Sequence, residues 1–171
     1  MIQQNVDRST IFNRSWAEYK VGFNDSRGNY WLGNDLLSQL TLTGRYKARF
    51  DLQSRSNTSN WYSAEYNTFI VQPESDSDNY RLEVSRYSGN AGQDSLSHQN
   101  GMQFTTFDRD NDHLPLNCAL SYGGGWWYKR CYACCMTCYD KLQRGDLQGF
   151  GWSDLPGGWQ LQSSRMWLQC K

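Results

Sequence analysis

The chain has 171 residues, a length that suits one domain. Its 17 basic and 17 acidic residues cancel without any block of like charge, which excludes the basic surface expected of a protein that binds nucleic acid or an anionic membrane. Hydrophobic residues make up only 38% of the chain, but 8 Trp, 11 Tyr and 7 Phe predict a core built mainly from aromatic rings.

The first predicted element is an amphipathic helix over residues 11–23. Asn13 is its predicted N-cap, and Gly22 marks its predicted end. Four aromatic residues recur at spacings of four, three and four, which is the period of one helix face: Phe12, Trp16, Tyr19 and Phe23.

Three strands are predicted next, at residues 45–52, 61–72 and 80–87, where apolar or aromatic residues alternate with polar ones. The turns between them are rich in Ser, Asn and Asp, as expected of hairpins. From residue 88 to 125 this alternation gives way to Gly, Asn, Asp and Ser. Because ordered loops of that length are usually functional, we expect the binding site there.

The cysteines indicate where the protein acts. All lie in the last third of the chain and their number is even, which favours disulfides and therefore secretion. No stretch approaches the ~18 apolar residues of a membrane span, and no signal segment opens the chain. Three N-x-S/T sequons agree with a secreted glycoprotein, at Asn13, Asn24 and Asn57.

Residues 108–118, DRDNDHLPLNC, form the densest acidic cluster. Its alternate acidic side chains can converge on one hard cation while backbone carbonyls complete the oxygen shell, so the segment is either a calcium loop or a solvated turn. It is not an EF-hand, because His113 and Ala119 stand where that motif requires Gly and Glu.

Other motifs favour structure over chemistry. The cysteines within 131–138 could be zinc ligands, but four thiolates within eight residues leave little backbone for a tetrahedral site, and no second half-site follows. The glycines at 123–125 lack the Lys and helix of a phosphate-binding loop, which favours a close-packed turn before the core residues Trp126 and Trp127. No catalytic signature occurs, and only two histidines are present, so we predict no enzyme.

Four ordered motifs, together with FNRSWAEYKVGF near the start and GFGW near the end, resemble the fibrinogen-like carboxy-terminal domain over nearly the whole chain. The resemblance implies an α+β fold, with a twisted antiparallel sheet, short helices and a loop-rich subdomain that binds calcium and ligand. The four motifs are GNYWLGND (28–35), SRYSGNAGQDSLS (85–97), NGMQFTTFDRDND (100–112) and NCALSYGGGWWYKRC (117–131).

One domain over residues 1–171 is then expected to comprise a central sheet and helix (1–87), a loop-rich binding part (88–148) and a returning strand (149–171). The family's opening segment, which contains its own disulfide, has no counterpart here. We therefore expect an exposed sheet edge or apolar patch.

The resemblance also assigns a calcium site. The side chains of Asp110 and Asp112 and the carbonyls of Leu114 and Leu116 are the implied Ca²⁺ ligands, with Asp108 as a supporting acid outside them. Cys118 is implied to pair with Cys131, a cross-link that the chain-entropy picture values at ~3 kcal/mol. Cys134, Cys135, Cys138 and Cys170 then have three possible pairings, and we expect some of them to stay free, with Cys170 available to a partner chain.

Family members that resemble ficolins and tachylectins bind acetyl groups in a pocket beside this disulfide. The implied ligand-binding residues are Tyr122, as a pocket wall, and Arg130, Cys131, Tyr132 and Ala133. The peptide bond between Arg130 and Cys131 is expected to be cis, so that backbone amides hold the acetyl oxygen.

This chain departs from that pattern at Tyr132, where acetyl-binding members commonly have His. Residues 134–138, CCMTC, also replace the family's Ser-Asn-Leu-Asn-Gly. The aromatic expected from the following loop has no clear counterpart.

The predicted function is a secreted, calcium-binding, lectin-like module that binds acetylated glycans in innate immune recognition. The alternative is an extracellular protein-binding module of tenascin or angiopoietin type, which meets a receptor or matrix partner without binding sugar; a degenerate copy is the third possibility. A homo-oligomer joined through an upstream segment or exposed thiols is expected to supply avidity.

Overall fold

The computed structural model describes residues 1–8, 10–139 and 149–171. These ranges contain nine strands: β1 (Gln3–Asn5), β2 (Phe23–Asn24), β3 (Tyr30–Trp31), β4 (Tyr46–Ser54), β5 (Trp61–Val71), β6 (Leu82–Gly89), β7 (Cys134–Cys135), β8 (Gly151–Trp152) and β9 (Leu161–Cys170). They also contain the α-helices α1 (Trp16–Val21), α2 (Asn34–Leu42) and α3 (Cys118–Tyr122), and single 3₁₀ turns at Thr10–Phe12 and Leu96–Gln99.

Seven strands form one antiparallel sheet in the order β2-β3-β1-β9-β4-β5-β6, while β7 and β8 pair separately. The predicted strands at 45–52, 61–72 and 80–87 are confirmed as β4, β5 and β6, and the predicted α+β class is confirmed with them. None of the helices in the described ranges is long and apolar enough to cross a membrane.

Strand β4 shows why the alternating pattern predicted the sheet. Phe50 lies opposite Ala64 of β5 and Met166 of β9, and all three side chains are buried. On the other face, Arg49 lies opposite Glu65 and forms an ion pair with it at 3.0 Å. Successive residues therefore alternate between the core and the surface.

Helix α1 is shorter than predicted. It begins at Trp16 and is capped by Ser15, so the predicted N-cap at Asn13 is wrong. The reason is a capping box: Ser15 Oγ accepts from the Glu18 N–H, and a Glu18 carboxylate oxygen accepts from the Ser15 N–H at 2.8 Å. Asn13 instead donates its backbone N–H to Thr10 and closes the 3₁₀ turn. The predicted end at Gly22 is confirmed.

Helix α2, which was not predicted, packs on β5. Thr41 Oγ1 accepts a 3.0 Å hydrogen bond from the Val71 N–H and donates to the Leu37 carbonyl. At the start of the helix, Asn34 Oδ1 accepts from the Trp31 indole N–H at 2.9 Å. Polar side chains thus fix the helix to the sheet.

The core is largely aromatic, as the composition predicts. Trp126 and Trp127 are fully buried, which confirms their predicted place in the core. Trp127 packs edge-on against Phe69 of β5 and Phe104, and its indole N–H donates to the Tyr80 carbonyl at 2.7 Å. These contacts seat the loop-rich segment on one face of the sheet.

Candidate functional site

The implied calcium loop is folded around Asp112. One carboxylate oxygen of Asp112 accepts from the Leu114 N–H at 2.7 Å, and the other accepts from the Cys118 N–H at 2.8 Å. The Asp112 N–H in turn donates to Asp110 Oδ1 at 3.2 Å. Two of the implied ligand side chains are therefore neighbours, and the backbone between them is bent into a turn.

The oxygen atoms that could hold a hard cation are the carboxylates of Asp110 and Asp112 and the carbonyls of Leu114 and Leu116. Within the described ranges, neither the Leu114 nor the Leu116 carbonyl accepts a hydrogen bond. Burial raises the pKa of Asp112, its bonds from the Cys118 and Leu114 N–H groups lower that pKa, and the charge of Asp110 raises it further. The described residues hold no cluster of three or more acidic, His or Cys side chains, so a cation here would need the two carbonyls as well.

Asp108 forms hydrogen bonds outside this set of oxygens. Its Oδ1 accepts from the Trp16 backbone N–H at 2.9 Å and from the Thr106 hydroxyl at 2.7 Å. It therefore satisfies an N–H at the start of α1, and its supporting role at the implied calcium site stays a prediction.

The predicted disulfide between Cys118 and Cys131 is present, with Cα atoms 5.5 Å apart. Cys118 opens α3, whose N-cap is Asn117. The Asn117 side chain accepts from the Ala119 N–H at 2.8 Å and donates to the Thr106 carbonyl at 2.9 Å. Asn117 thus ties the start of helix α3 to Thr106, so the two ends of residues 108–118, which we call the acidic loop, lie close together.

The peptide bond between Arg130 and Cys131 was expected to be cis, but it is trans. All peptide bonds in the described ranges are trans. A trans bond is favoured by about 3 to 4 kcal/mol at a non-proline residue. The local turn is closed instead by a 2.7 Å hydrogen bond from the Lys129 N–H to the Cys131 carbonyl. Arg130 is exposed.

Aromatic rings gather beside this turn. The ring of Tyr132 lies 5.0 Å from Tyr122, perpendicular to it, and 6.0 Å from Trp159. Two of the implied ligand-binding residues are thereby brought together, and the Ala133 carbonyl accepts from the Ser153 N–H nearby. A groove of about 460 Å³ also borders Trp159, lined by Arg55, Ser56, Gly157, Gly158, Trp159 and Gln160.

Trp159 was missed by the sequence reasoning. Its only signal was the Gly-Gly-Trp sequence at 157–159, which repeats the pattern at 124–126. Residues 140–148, which include most of the loop where the resemblance placed a further aromatic, lie outside the described residues.

A second disulfide joins Cys135 to Cys138 and leaves Cys134 buried and Cys170 exposed as free thiols, which confirms that some of the four remaining cysteines stay free. The zinc alternative is therefore wrong, because three of the four thiols it required, those of Cys131, Cys135 and Cys138, are cross-linked. The carbonyl of Met136 accepts from the side-chain amides of Gln3 and Asn5, at 3.1 and 3.2 Å. The disulfide loop is thus bonded to β1.

The same loop explains the three glycines. A Cβ on Gly124 would lie 2.2 Å from the Thr137 carbonyl oxygen, and one on Gly123 would lie 2.0 Å from the Tyr139 ring. The predicted close-packed turn is confirmed, since any larger residue would displace residues 137–139.

Three large apolar side chains in or directly beside the acidic loop are exposed. Phe107 is 37% exposed, Leu116 is 76% exposed and Leu120 is 51% exposed. The hydrogen bond from Asn117 to Thr106 brings the backbone of residues 106–107 next to that of 116–117, and Leu120 follows one helical turn later. We call these three residues the apolar rim.

Sheet, disulfides and loops together form an α+β domain in which an antiparallel sheet supports a disulfide-braced, loop-rich end. The chain belongs to the family described as "Fibrinogen beta and gamma chains, C-terminal globular domain", which matches residues 1–171. The resemblance read from the motifs is thereby confirmed.

Relatives and solved structures agree. Tenascin-R from Homo sapiens is 42% identical over 133 residues, which are 77% of this chain and 9% of that protein. Angiopoietin-related protein 1 from Mus musculus is 45% identical over 128 residues, 75% of this chain and 25% of that protein. The fibrinogen-like globe domain of human ANGPTL2 matches with a TM-score of 0.85 at 36% identity, covering 99% of this chain and 78% of that structure. The chain thus spans a quarter or less of these two relatives.

Proposed function

We propose that the chain is an extracellular module that binds a protein partner through the apolar rim, with calcium holding the loop that presents it. The observation that carries this proposal is the exposure of Phe107, Leu116 and Leu120 around the loop with the implied calcium ligands. Exposed apolar side chains grouped in this way are typical of surfaces that bind other proteins.

Leu116 belongs both to the proposed calcium site and to the apolar rim. Its carbonyl oxygen is a proposed calcium ligand, while its side chain is 76% exposed. A cation bound by Asp110, Asp112 and the two carbonyls would therefore fix the direction in which Leu116 points. Binding of the partner should then require calcium.

The relatives support a protein partner over a sugar. Tenascin-R and angiopoietin-related protein 1 belong to the kinds of family member whose domains, by the resemblance, meet receptors or matrix. The positions at which this chain departs from acetyl-binding members, Tyr132 and 134–138, lie in the implied sugar pocket and outside the apolar rim.

The test is binding of a fluorescent tetramer of the chain to cultured cells, with calcium or with EDTA. Leu116→Ser should reduce calcium-dependent binding at least 10-fold, as expected when a central contact is lost. Val21→Ser is the matched control, because Val21 is 74% exposed but lies at the end of α1. Protease treatment of the cells should abolish binding. Equal binding by both variants would contradict the proposal.

A second candidate function is the binding of acetylated glycans, as in innate immune recognition. It is favoured by the perpendicular contact between Tyr122 and Tyr132, with Trp159 beside them, because aromatic walls suit an acetyl methyl group. Retention on an N-acetylglucosamine resin with calcium, elution by free acetate, and loss of retention in Tyr132→Ala would support it. If the resin retains no wild-type protein, this candidate is rejected.

A further inference from the structure

Arg109 lies between the supporting acid Asp108 and the proposed ligand Asp110. Its side chain contacts residues from other parts of the chain. Its guanidinium carbon lies 4.0 Å from the centre of the Trp16 ring. One guanidinium nitrogen donates to Glu74 Oε1 at 2.9 Å, and the other donates to the side-chain oxygen of Asn79. We call Trp16, Glu74, Asn79 and Arg109 the arginine clamp.

Glu74 ties the clamp to helix α1 by further bonds. It accepts from the Trp16 indole N–H at 2.6 Å and from the Lys20 ammonium group. A single carboxylate therefore receives donors from two residues of α1 and from Arg109 of the acidic loop. Hydrogen bonds to a charged group are among the stronger ones, so this junction is well ordered.

The backbone of Arg109 is also held, by hydrogen bonds to Thr106. The Thr106 N–H donates to the Arg109 carbonyl at 2.9 Å, and the Arg109 N–H donates back to the Thr106 carbonyl at 3.2 Å. Asp108, inside this turn, accepts from the first N–H of α1 at Trp16. Residues 106–109 are thus fixed to α1 through both side chains and backbone, and Asp110 follows directly.

We propose that Arg109 is a positioning residue for calcium: the arginine clamp holds the turn at 106–109 so that Asp110 and Asp112 are in place before the cation arrives. This inference rests on the calcium site of the proposed function. Because coupling between two equilibria is reciprocal, calcium binding also orders α1, although no residue of α1 belongs to the proposed ligand set.

Arginine is required by the geometry. The guanidinium carbon lies over the Trp16 ring while two guanidinium nitrogens donate to different acceptors, Glu74 and Asn79. A lysine ammonium group is a single compact charge without this fork and flat face, so it can satisfy Glu74 but not the whole clamp. Arg109→Lys should therefore retain the ion pair and lose the positioning.

The experiment compares calcium affinity, by isothermal titration calorimetry, in the wild type, Arg109→Gln, Arg109→Lys and Arg81→Gln. Arg81 is the matched control: its side chain is 36% exposed, like that of Arg109, and it pairs with two carboxylates, Asp78 and Glu83. Both Arg109 variants should bind calcium about 10-fold more weakly or worse, as is usual when a group that orients metal ligands is lost. Arg81→Gln should stay within about 2-fold of the wild type.

Hydrogen exchange gives a second measurement. Calcium should slow exchange of the α1 amides in the wild type and in Arg81→Gln, but not in the Arg109 variants. Calcium affinity of Arg109→Lys equal to that of the wild type would overturn the clamp while leaving the calcium site intact. If the folded wild type shows no calcium binding, the proposed site fails and the inference fails with it. If Arg109→Gln does not fold, Arg109→Lys carries the comparison.

Discussion

The backbone N–H of Gly125 donates a 2.9 Å hydrogen bond to the hydroxyl oxygen of Tyr19, 106 positions earlier in the chain. The same hydroxyl donates to the Phe12 carbonyl at 2.7 Å. Helix α1 and the glycine turn are therefore joined through one buried phenol. The contact leaves no room at Gly125, where a Cβ would lie 2.5 Å from the Tyr19 ring and 2.8 Å from the Phe104 ring.

Gly125→Ala should destabilise the protein by about 3 kcal/mol, because overpacking would displace two buried rings. Gly44→Ala is the control: no atom lies within 4 Å of the added Cβ, and only its φ of +67° is unfavourable for alanine, which costs about 1 to 2 kcal/mol. Urea unfolding measures both variants. A smaller loss of unfolding free energy in Gly125→Ala than in Gly44→Ala would contradict this packing.

The two disulfides should differ in their contribution to stability. The Cys118–Cys131 bond closes a sequence separation of 13 residues and the Cys135–Cys138 bond a separation of 3. Chain entropy then predicts losses of about 3 and about 2 kcal/mol for the corresponding double Ser variants. Chemical unfolding under non-reducing conditions gives the two values. The reverse order would mean that native packing outweighs the entropy of the unfolded chain.

Calcium should raise the melting temperature of the wild type but not that of Asp110→Ala or Asp112→Ala. At a concentration 100 times the dissociation constant, linkage predicts a gain of about 2.7 kcal/mol. Asp108→Ala should lose stability with or without calcium, because the Trp16 N–H loses its acceptor, yet it should retain most of the calcium effect. Thermal scans with calcium and with EDTA distinguish these cases. Equal loss of the calcium effect in all three variants would place the ligands elsewhere.

Ionisation of Glu65 should make the free energy of unfolding depend on pH in the acidic range. Its hydrogen bond from the Lys47 ammonium group, at 2.7 Å, and the charges of Lys47 and Arg49 hold its pKa below the ordinary 4.5, although burial opposes them. A lowered folded-state pKa stabilises the protein above pH 4.5, and that stability is lost as the pH falls through the folded-state pKa. The difference in unfolding free energy between the wild type and Glu65→Gln should therefore shrink in acid. A difference that is constant with pH would contradict this assignment.

The sheet could be predicted because polar and apolar residues alternate along its strands, most regularly in β4, where Ala48, Phe50, Leu52 and Ser54 are buried and the residues between them are not. Helix α2 could not, because its hydrophobic pattern is partly inverted: Ser38 and Thr41 face the core, while Leu36 and Leu42 are 44% and 47% exposed. Thr41 is accommodated there because it is hydrogen-bonded to β5, a tertiary contact that no local pattern shows.

The Cys118–Cys131 disulfide could be predicted because the motifs around it resemble the fibrinogen-like domain, which implies this pair. The second disulfide could not, since its pairing depends on which way each thiol points. Cys134 and Cys135 are adjacent in β7 and so face opposite ways. The thiol of Cys134 points to Gln99 at 3.7 Å, while Cys135 reaches Cys138.

Because one free thiol is exposed and the other is buried, the two can be labelled selectively. Cys170 is exposed at the end of β9, and Cys134 is completely buried. A maleimide dye should therefore attach once to the native, non-reduced chain and twice after unfolding. The rate of the second attachment would report how often the interior around Cys134 opens, while a dye on Cys170 would sit on the sheet, far along the chain from the acidic loop.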